Sequence, residues 1–258
     1  MLETLKEHTY NSVGPLVAGL LLSLAVVASF GGFCVWMVLR FRRRSKTEAG
    51  ESEPRNHTAN LAGQHVPSRW MAIKSSNSLV VQSALGLHNL KPCTWEEGLS
   101  QVQDRDLLVS APVDGWILVA GGGLPAPEDD IDVCFHWLQR LSKDLGTVQL
   151  FSVHQALSHH AWALAQEGQV VRAYAWADHT LWNQGRPTPA ENSLQMTFLA
   201  YGEKEESLSA PQKDSLVHNT ENICRLAALW SIDPASVIQR LENSKRSVVG
   251  NLAHSKNR

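Results

Sequence analysis

Residues 16–39, LVAGLLLSLAVVASFGGFCVWMVL, carry no ionisable acid or base apart from the thiol of Cys34, and Arg40, Arg42, Arg43, Arg44 and Lys46 follow at once. At ~1.5 Å per residue a helix of this length reaches about 36 Å, enough to cross a ~30 Å hydrocarbon core with some tilt. A secretory signal places its cations before a shorter apolar run and ends at a small-residue cleavage site, whereas here the cations come after a longer one. A helix of a soluble domain would carry a polar stripe, and this one is apolar on every side. A single transmembrane helix over 16–39 is therefore expected, after a short N-terminal tail (1–15).

Its orientation follows from the flanks. The N-terminal side offers Lys6 and the terminal amine, offset by Glu3 and Glu7; the C-terminal side offers the five cations. The positive-inside rule keeps the cationic side in the cytoplasm. The expected location is the inner (cytoplasmic) membrane, single-pass, with the N-terminus outside. The basic cluster Arg40, Arg42, Arg43, Arg44 and Lys46 is also a surface for anionic lipid, at ~1 kcal/mol per cation. Gly19 with Ser23, and Ala28 with Gly32, are small residues four apart, a spacing that allows weak self-association of the helix.

Residues 40–67 combine this cluster with a polar stretch poor in large apolar side chains, read as a flexible linker. Asn56, His57 and Thr58 match a glycosylation acceptor, which a cytoplasmic chain would not use. Residues 68–241 have the length of one ordinary domain, and 242–258 read as a disordered tail. A formal net charge of −2 gives no reason to expect a nucleic-acid partner.

Within the domain, strands are expected at 70–74, 107–111, 116–121, 148–153, 180–185 and 196–201. The alternating stretch 159–177 reads as a hairpin about Glu167 and Gly168. Helices are expected after Asn77 and after the Thr94/Glu97 capping box. Others are expected over 128–145, after Thr188 with Pro189 at the first helical position, over 221–230, and after Asp233 with Pro234. This order implies an α+β fold with a mostly antiparallel sheet and packed helices.

Chemical motifs are sparse. Gly121, Gly122 and Gly123 lie between a strand and a helix but lack a phosphate-loop spacing, and Glu128, Asp129, Asp130 and Asp132 would repel a phosphate. The acidic cluster lacks the loop pattern of an EF-hand. His154, His159 and His160 lack a metal-ligand spacing, and consecutive strand residues face opposite ways. Cys34, Cys93, Cys134 and Cys224 are scattered and are expected reduced. No G-x-S-x-G elbow is present. No catalytic residue, metal ligand or cofactor is expected.

Trp162, Trp176 and Trp182 cluster about the hairpin and are the tryptophans best suited to a binding surface, the others reading as core. A two-residue turn at Glu167 and Gly168 sets Ala163 opposite Arg172, Ala161 opposite Tyr174 and Trp162 opposite Ala173. A three-residue loop would instead pair Trp162 with Tyr174 and Leu164 with Arg172. The first register is the one expected, because each large side chain then sits beside a small cross-strand neighbour. Arg172 is expected mid-strand beside Val170, Tyr174 and Trp176. It is there either as the partner of a carboxylate such as Asp178 or Glu191, or to recognise an anion beside an aromatic wall.

The run from Trp162 to Trp176 (W-x-x-x-x-x-G-x-x-x-R-A-Y-x-W), with Leu181-Trp182-Asn183-Gln184-Gly185, GWILVAG before it and WSIDP after it, resembles an uncharacterised bacterial domain family over about residues 70–235. The resemblance implies no established activity; it is similar to binding modules. The expected function is thus a binding or interaction module presented at a membrane by one helix, with a protein or peptide partner. Its candidate ligand-binding residues are Arg172, Tyr174, Trp176, Trp162, Trp182 and His160. The alternative is a membrane-tethered hydrolase or transferase acting through His154, His159 and His160.

Overall fold

Residues 69–74 read RWMAIK, and Trp70, Met71, Ala72 and Ile73 are all buried in strand β3 (Arg69–Lys74). A strand buried on both faces needs a cover on each side, and the fold supplies one. The computed structural model of the chain describes residues 58–61, 64–241 and 246–252. All of these fall in one compact unit, Asn56–Arg258. The expected tail at 1–15, the helix at 16–39 and the basic cluster at 40–46 lie outside the described residues. Among the described residues, no helix is long and apolar enough to cross a membrane.

β1 (Thr58–Leu61) and β2 (Gln64–Pro67) form a small separate hairpin. β3 sits in the middle of a nine-stranded sheet, between β6 (Trp116–Ala120) and β7 (Thr147–His154). Beyond β7 lie β8 (His159–Gln166), β9 (Gln169–Ala177) and β10 (His179–Gln184). Beyond β6 lie β5 (Asp106–Val109), β11 (Ser247–Leu252) and β4 (Leu87–Cys93). Every neighbouring pair is antiparallel. With helices packed on both faces, the domain is α+β.

On one face, α1 (Ser78–Leu85) and α3 (Ile131–Leu145) bury Val81, Leu85, Cys134, Leu138 and Leu141 against Met71, Ile73, Val119, Val148 and Leu150. Asn77 caps α1 with its side chain, and Asp130 caps α3. On the other face lie α2 (Trp95–Gln101), α4 (Pro189–Ser193), α5 (Ala210–Trp230) and α6 (Pro234–Leu241). Leu216, Ile223, Leu226 and Val237 of this layer join Trp70, Phe151, Trp162, Tyr174 and Trp176 in a second core. The expected capping box of Thr94 with Glu97 forms, and the expected N-cap Thr188 also makes one with Glu191. Gln149 is buried in β7, donates to the Trp230 carbonyl (3.3 Å) and accepts from Ser231 (2.6 Å). One side chain thereby satisfies groups left open at the end of α5.

Several expectations need correction. The ordered domain extends past 68–241 at both ends. Residues 58–61 and 64–67, read as linker, are the paired strands β1 and β2. Residues 247–252, read as disordered tail, are β11, which lies inside the sheet between β5 and β4. Its sequence, SVVGNL, has no apolar alternation, and only Ser247 and Gly250 are buried along it. Main-chain bonds to two neighbours, rather than a hydrophobic face, place it there. β4 is not marked in the sequence, because it contains Asn89 and Pro92, residues typical of turns, and its five middle residues are exposed. α5 begins at Ala210, well ahead of the expected 221. Residues 196–201 were expected as a strand; 196–200 carry no regular structure, Tyr201 stands in a turn, and among the described residues no strand pairs with them.

The hairpin register also differs. Trp162 lies opposite Tyr174, Ala161 opposite Ala175 and Leu164 opposite Arg172. The turn is nevertheless the two-residue one. Gln166 pairs with Gln169, and Glu167 and Gly168 both have positive φ (49° and 82°), as a type I′ turn requires. A bulge between Leu164 and Ala165 reconciles the two, with Val171 as the extra residue on β9. It also moves Val170 to the α3 face, opposite to Arg172. One face of the hairpin becomes Ala161, Ala163, Ala165, Ala173 and Ala175, and α3 packs on this low surface.

Candidate functional site

The six residues singled out as ligand-binding do not form an open groove. Arg172, Tyr174, Trp176, Trp162 and His160 are buried on the α5 face, and Trp182 is buried on the α3 face against Phe135. The structure brings His160, Trp162, Tyr174 and Arg172 together and leaves Trp182 on the other side of the sheet.

Arg172 is the centre of this group. Its Nε donates to Glu191 Oε1 at 2.7 Å, and the two side chains are 1% and 0% exposed. Of the two carboxylates considered as partners, Glu191 takes the role, while Asp178 pairs with His159 instead. Arg172 Nη1 donates to the carbonyls of Ala173 (3.1 Å) and Gln184 (3.1 Å) and to Asn183 Oδ1 (3.0 Å). Glu191 accepts from Trp162 Nε1 (2.7 Å) on the same oxygen and from the Thr188 main chain (2.6 Å) on the other. The capping box of a five-residue helix thus carries the counter-charge of a buried guanidinium. A desolvated pair is tolerable only when the remaining lone pairs and protons are also bonded. Arg172 Nη2 is the exception: it is buried without a hydrogen-bond partner among the described residues, and the guanidinium carbon lies 4.5 Å from the centre of the Phe198 ring.

The motif around Trp182 is wired to the same bulge. Gln184 Nε2 donates to the Val170 carbonyl (2.9 Å), and Trp182 Nε1 donates to Gln184 Oε1 (3.0 Å). Gly185, at φ +77°, passes so close to the Val171 carbonyl that a Cβ would overlap it. Only glycine fits both conditions. The R-A-Y-x-W and L-W-N-Q-G runs are therefore an internal clasp.

His160 stacks on Trp162 (5.5 Å) and Tyr174 (5.9 Å). Nδ1 lies 2.9 Å from the Ser158 carbonyl and 3.0 Å from Thr220 Oγ1, and Asn219 Nδ2 is 3.4 Å from Nε2. The Nδ1–H tautomer satisfies this set. Burial pushes its pKa down to about 3, only partly opposed by the Ser158 carbonyl and reinforced by His159, so the ring is neutral.

His154 and His159 face each other across β7 and β8, with ring centres 6.3 Å apart, on the face opposite to the His160 ring. His159 Nε2 is 3.1 Å from Asp178 Oδ1. They edge a shallow depression of about 10 Å³, with Ser152, Glu128, Ala161, Ala175 and Leu181. That is room for about one water. Among the described residues no group of three His, Cys, Asp or Glu side chains is placed to hold a metal ion. Cys134 and Cys224 have their thiols pushed up to about 12 by burial, and burial raises Cys93 as well. These thiols stay protonated. At Gly121, a Cβ would overlap the Asp106 carbonyl, so close chain approach explains the glycine run without a phosphate.

Sequence reasoning missed Asn219, Thr180 and Phe198, which complete the surroundings of this group. None stands in a recognisable spacing, and each comes into place only through the fold. Comparison with protein-family models, with curated proteins and with solved structures returns no match for this chain.

Proposed function

We propose that this chain is a single-pass membrane protein whose α+β domain serves as a binding or interaction module on the cytoplasmic face of the inner membrane. The observation that carries the reading is the uncharged apolar run 16–39 with five cations on one side only. On this view residues 1–15 lie outside, and the cationic stretch attracts anionic lipid. The partner is a protein or peptide.

A membrane-tethered hydrolase or transferase remains the rival. His159 with Asp178 supports it, since an oriented imidazole is a common general base. Against it, the His160 ring is turned to the other face and held neutral between Trp162 and Tyr174. A catalytic group needs its partners converging on one cleft.

Cross-linking of the full chain in its native membrane, followed by identification of the captured species, tests the reading. Recovery of a defined protein cross-linked through surface residues of the domain is expected. A chain that captures none, yet loses a hydrolytic activity on His159→Ala, would favour the rival.

A further inference from the structure

His154 and His159 have no metal-ligand spacing in the chain, and the sheet supplies what the spacing lacks. They are the last directly opposed pair of β7 and β8, which sets their Cβ atoms ~5 Å apart. Both rings lie on the face opposite to the His160 ring, with centres 6.3 Å apart and planes tilted by 51°. Two imidazoles on one tetrahedral ion, each nitrogen ~2.0 Å from it, have ring centres roughly 5 Å apart. A side-chain rotation of His154 closes the difference. That residue is exposed and makes no hydrogen bond among the described residues.

The base of the pair is fixed. The turn joining the two strands, Gln155–Leu157 with Ser158 at φ +51°, has its Ser158 carbonyl held at 2.9 Å by Nδ1 of the buried His160. Two side chains on paired strands with a pinned turn between them keep their separation. His159 also has the second partner of a metal-ligating imidazole. Its Nε2 lies 3.1 Å from Asp178 Oδ1, which places the proton on Nε2 and the lone pair on Nδ1. A carboxylate behind the ring fixes the tautomer and makes the ligating nitrogen more basic. The depression of about 10 Å³ beside both histidines has room for about one water, as an ion with open positions requires.

We propose that His154 and His159 are a two-point site for a divalent transition-metal ion, with water in the remaining positions. Among the described residues no third His, Cys, Asp or Glu side chain is placed to complete it, so the coordination stays open. Imidazole donors suit copper, nickel and zinc, with copper(II) bound most tightly, and do not suit magnesium or calcium. The site lies outside the buried Arg172 group and does not depend on the reading of the domain as an interaction module.

Titration of the full chain in detergent micelles with copper(II), nickel(II), zinc and magnesium chlorides tests it. Copper should raise Tm with its concentration, by mass action on the folded state, and magnesium should not. The electron paramagnetic resonance spectrum of the bound copper should show two imidazole nitrogens. His154→Ala and His159→Ala should each weaken copper binding at least about tenfold. Asp178→Asn, which the positive φ of that position (59°) accommodates, should weaken it about tenfold through the orientation of His159. His88→Ala, at an exposed histidine of β4, should leave it unchanged. Equal copper affinity in the unaltered chain and in His154→Ala would mean an adventitious ion only and overturn the proposal. A chain that binds no copper would overturn it as well.

Discussion

Arg172 Nε lies 2.7 Å from Glu191 Oε1 with both side chains sealed from water, and the same carboxylate oxygen accepts from Trp162 Nε1. The pair joins the bulged strand β9 to the first turn of α4. It makes the position of a five-residue helix depend on a strand 19 residues earlier.

Removing one partner strands the other charge, so Arg172→Met should destabilise the domain by about 3–5 kcal/mol in denaturant unfolding. Adding Glu191→Gln should recover more than about 1 kcal/mol, because the amide still accepts from Trp162 without a buried charge. A loss under about 1 kcal/mol for the single variant would mean that the pair does not hold the fold.

His160 makes stability depend on pH in a defined window. Its folded-state pKa, about 3, lies below the ordinary 6.5, so the unfolded chain binds the proton first as pH falls. The contribution is complete above pH 6.5 and is lost progressively between there and pH 3. The slope is at most ~1.4 kcal/mol per pH unit, or roughly 2–3 kcal/mol over two units. Unfolding of the isolated domain across this range should show the loss, and His160→Gln should remove that part of the slope. An identical slope in the variant would assign the effect elsewhere.

Gly185→Ala should cost at least about 2 kcal/mol, since the residue would adopt a left-handed φ and overlap the Val171 carbonyl. Thermal or denaturant unfolding measures this. A neutral outcome would mean that the β9 bulge shifts readily.

How far the sequence was legible depends on what carried each element. The strands of the sheet centre and the capped helices were readable because side-chain burial and capping are local: β3, β6 and β7 are apolar runs, and Asn77, Thr94, Thr188 and Asp233 mark starts. β11 and β4 were not, because main-chain bonding to distant partners holds them and their side chains stay largely outside the core. The hairpin register failed on one inserted residue, Val171, which no propensity reveals. Residues 196–201 have a strand's composition and a strand's hydrogen bonds, but the partners are Asn219, Tyr174 and Thr180. Of the six residues singled out about the hairpin, the fold brings His160, Trp162, Tyr174, Trp176 and Arg172 onto one buried face and puts Trp182 on the other. Their spacing gave no sign that Glu191, rather than an external anion, completes the guanidinium's bonds.

Membrane topology is the most direct test of the proposed function. Two fusions to the C-terminus of the full chain, one to a fluorescent protein and one to alkaline phosphatase, are expressed in a bacterial host. A domain on the cytoplasmic face gives membrane-bound fluorescence and no phosphatase activity, because the phosphatase matures only outside the cytoplasm. Active phosphatase with no fluorescence, or a fluorescent fusion that washes from the membrane, would contradict it.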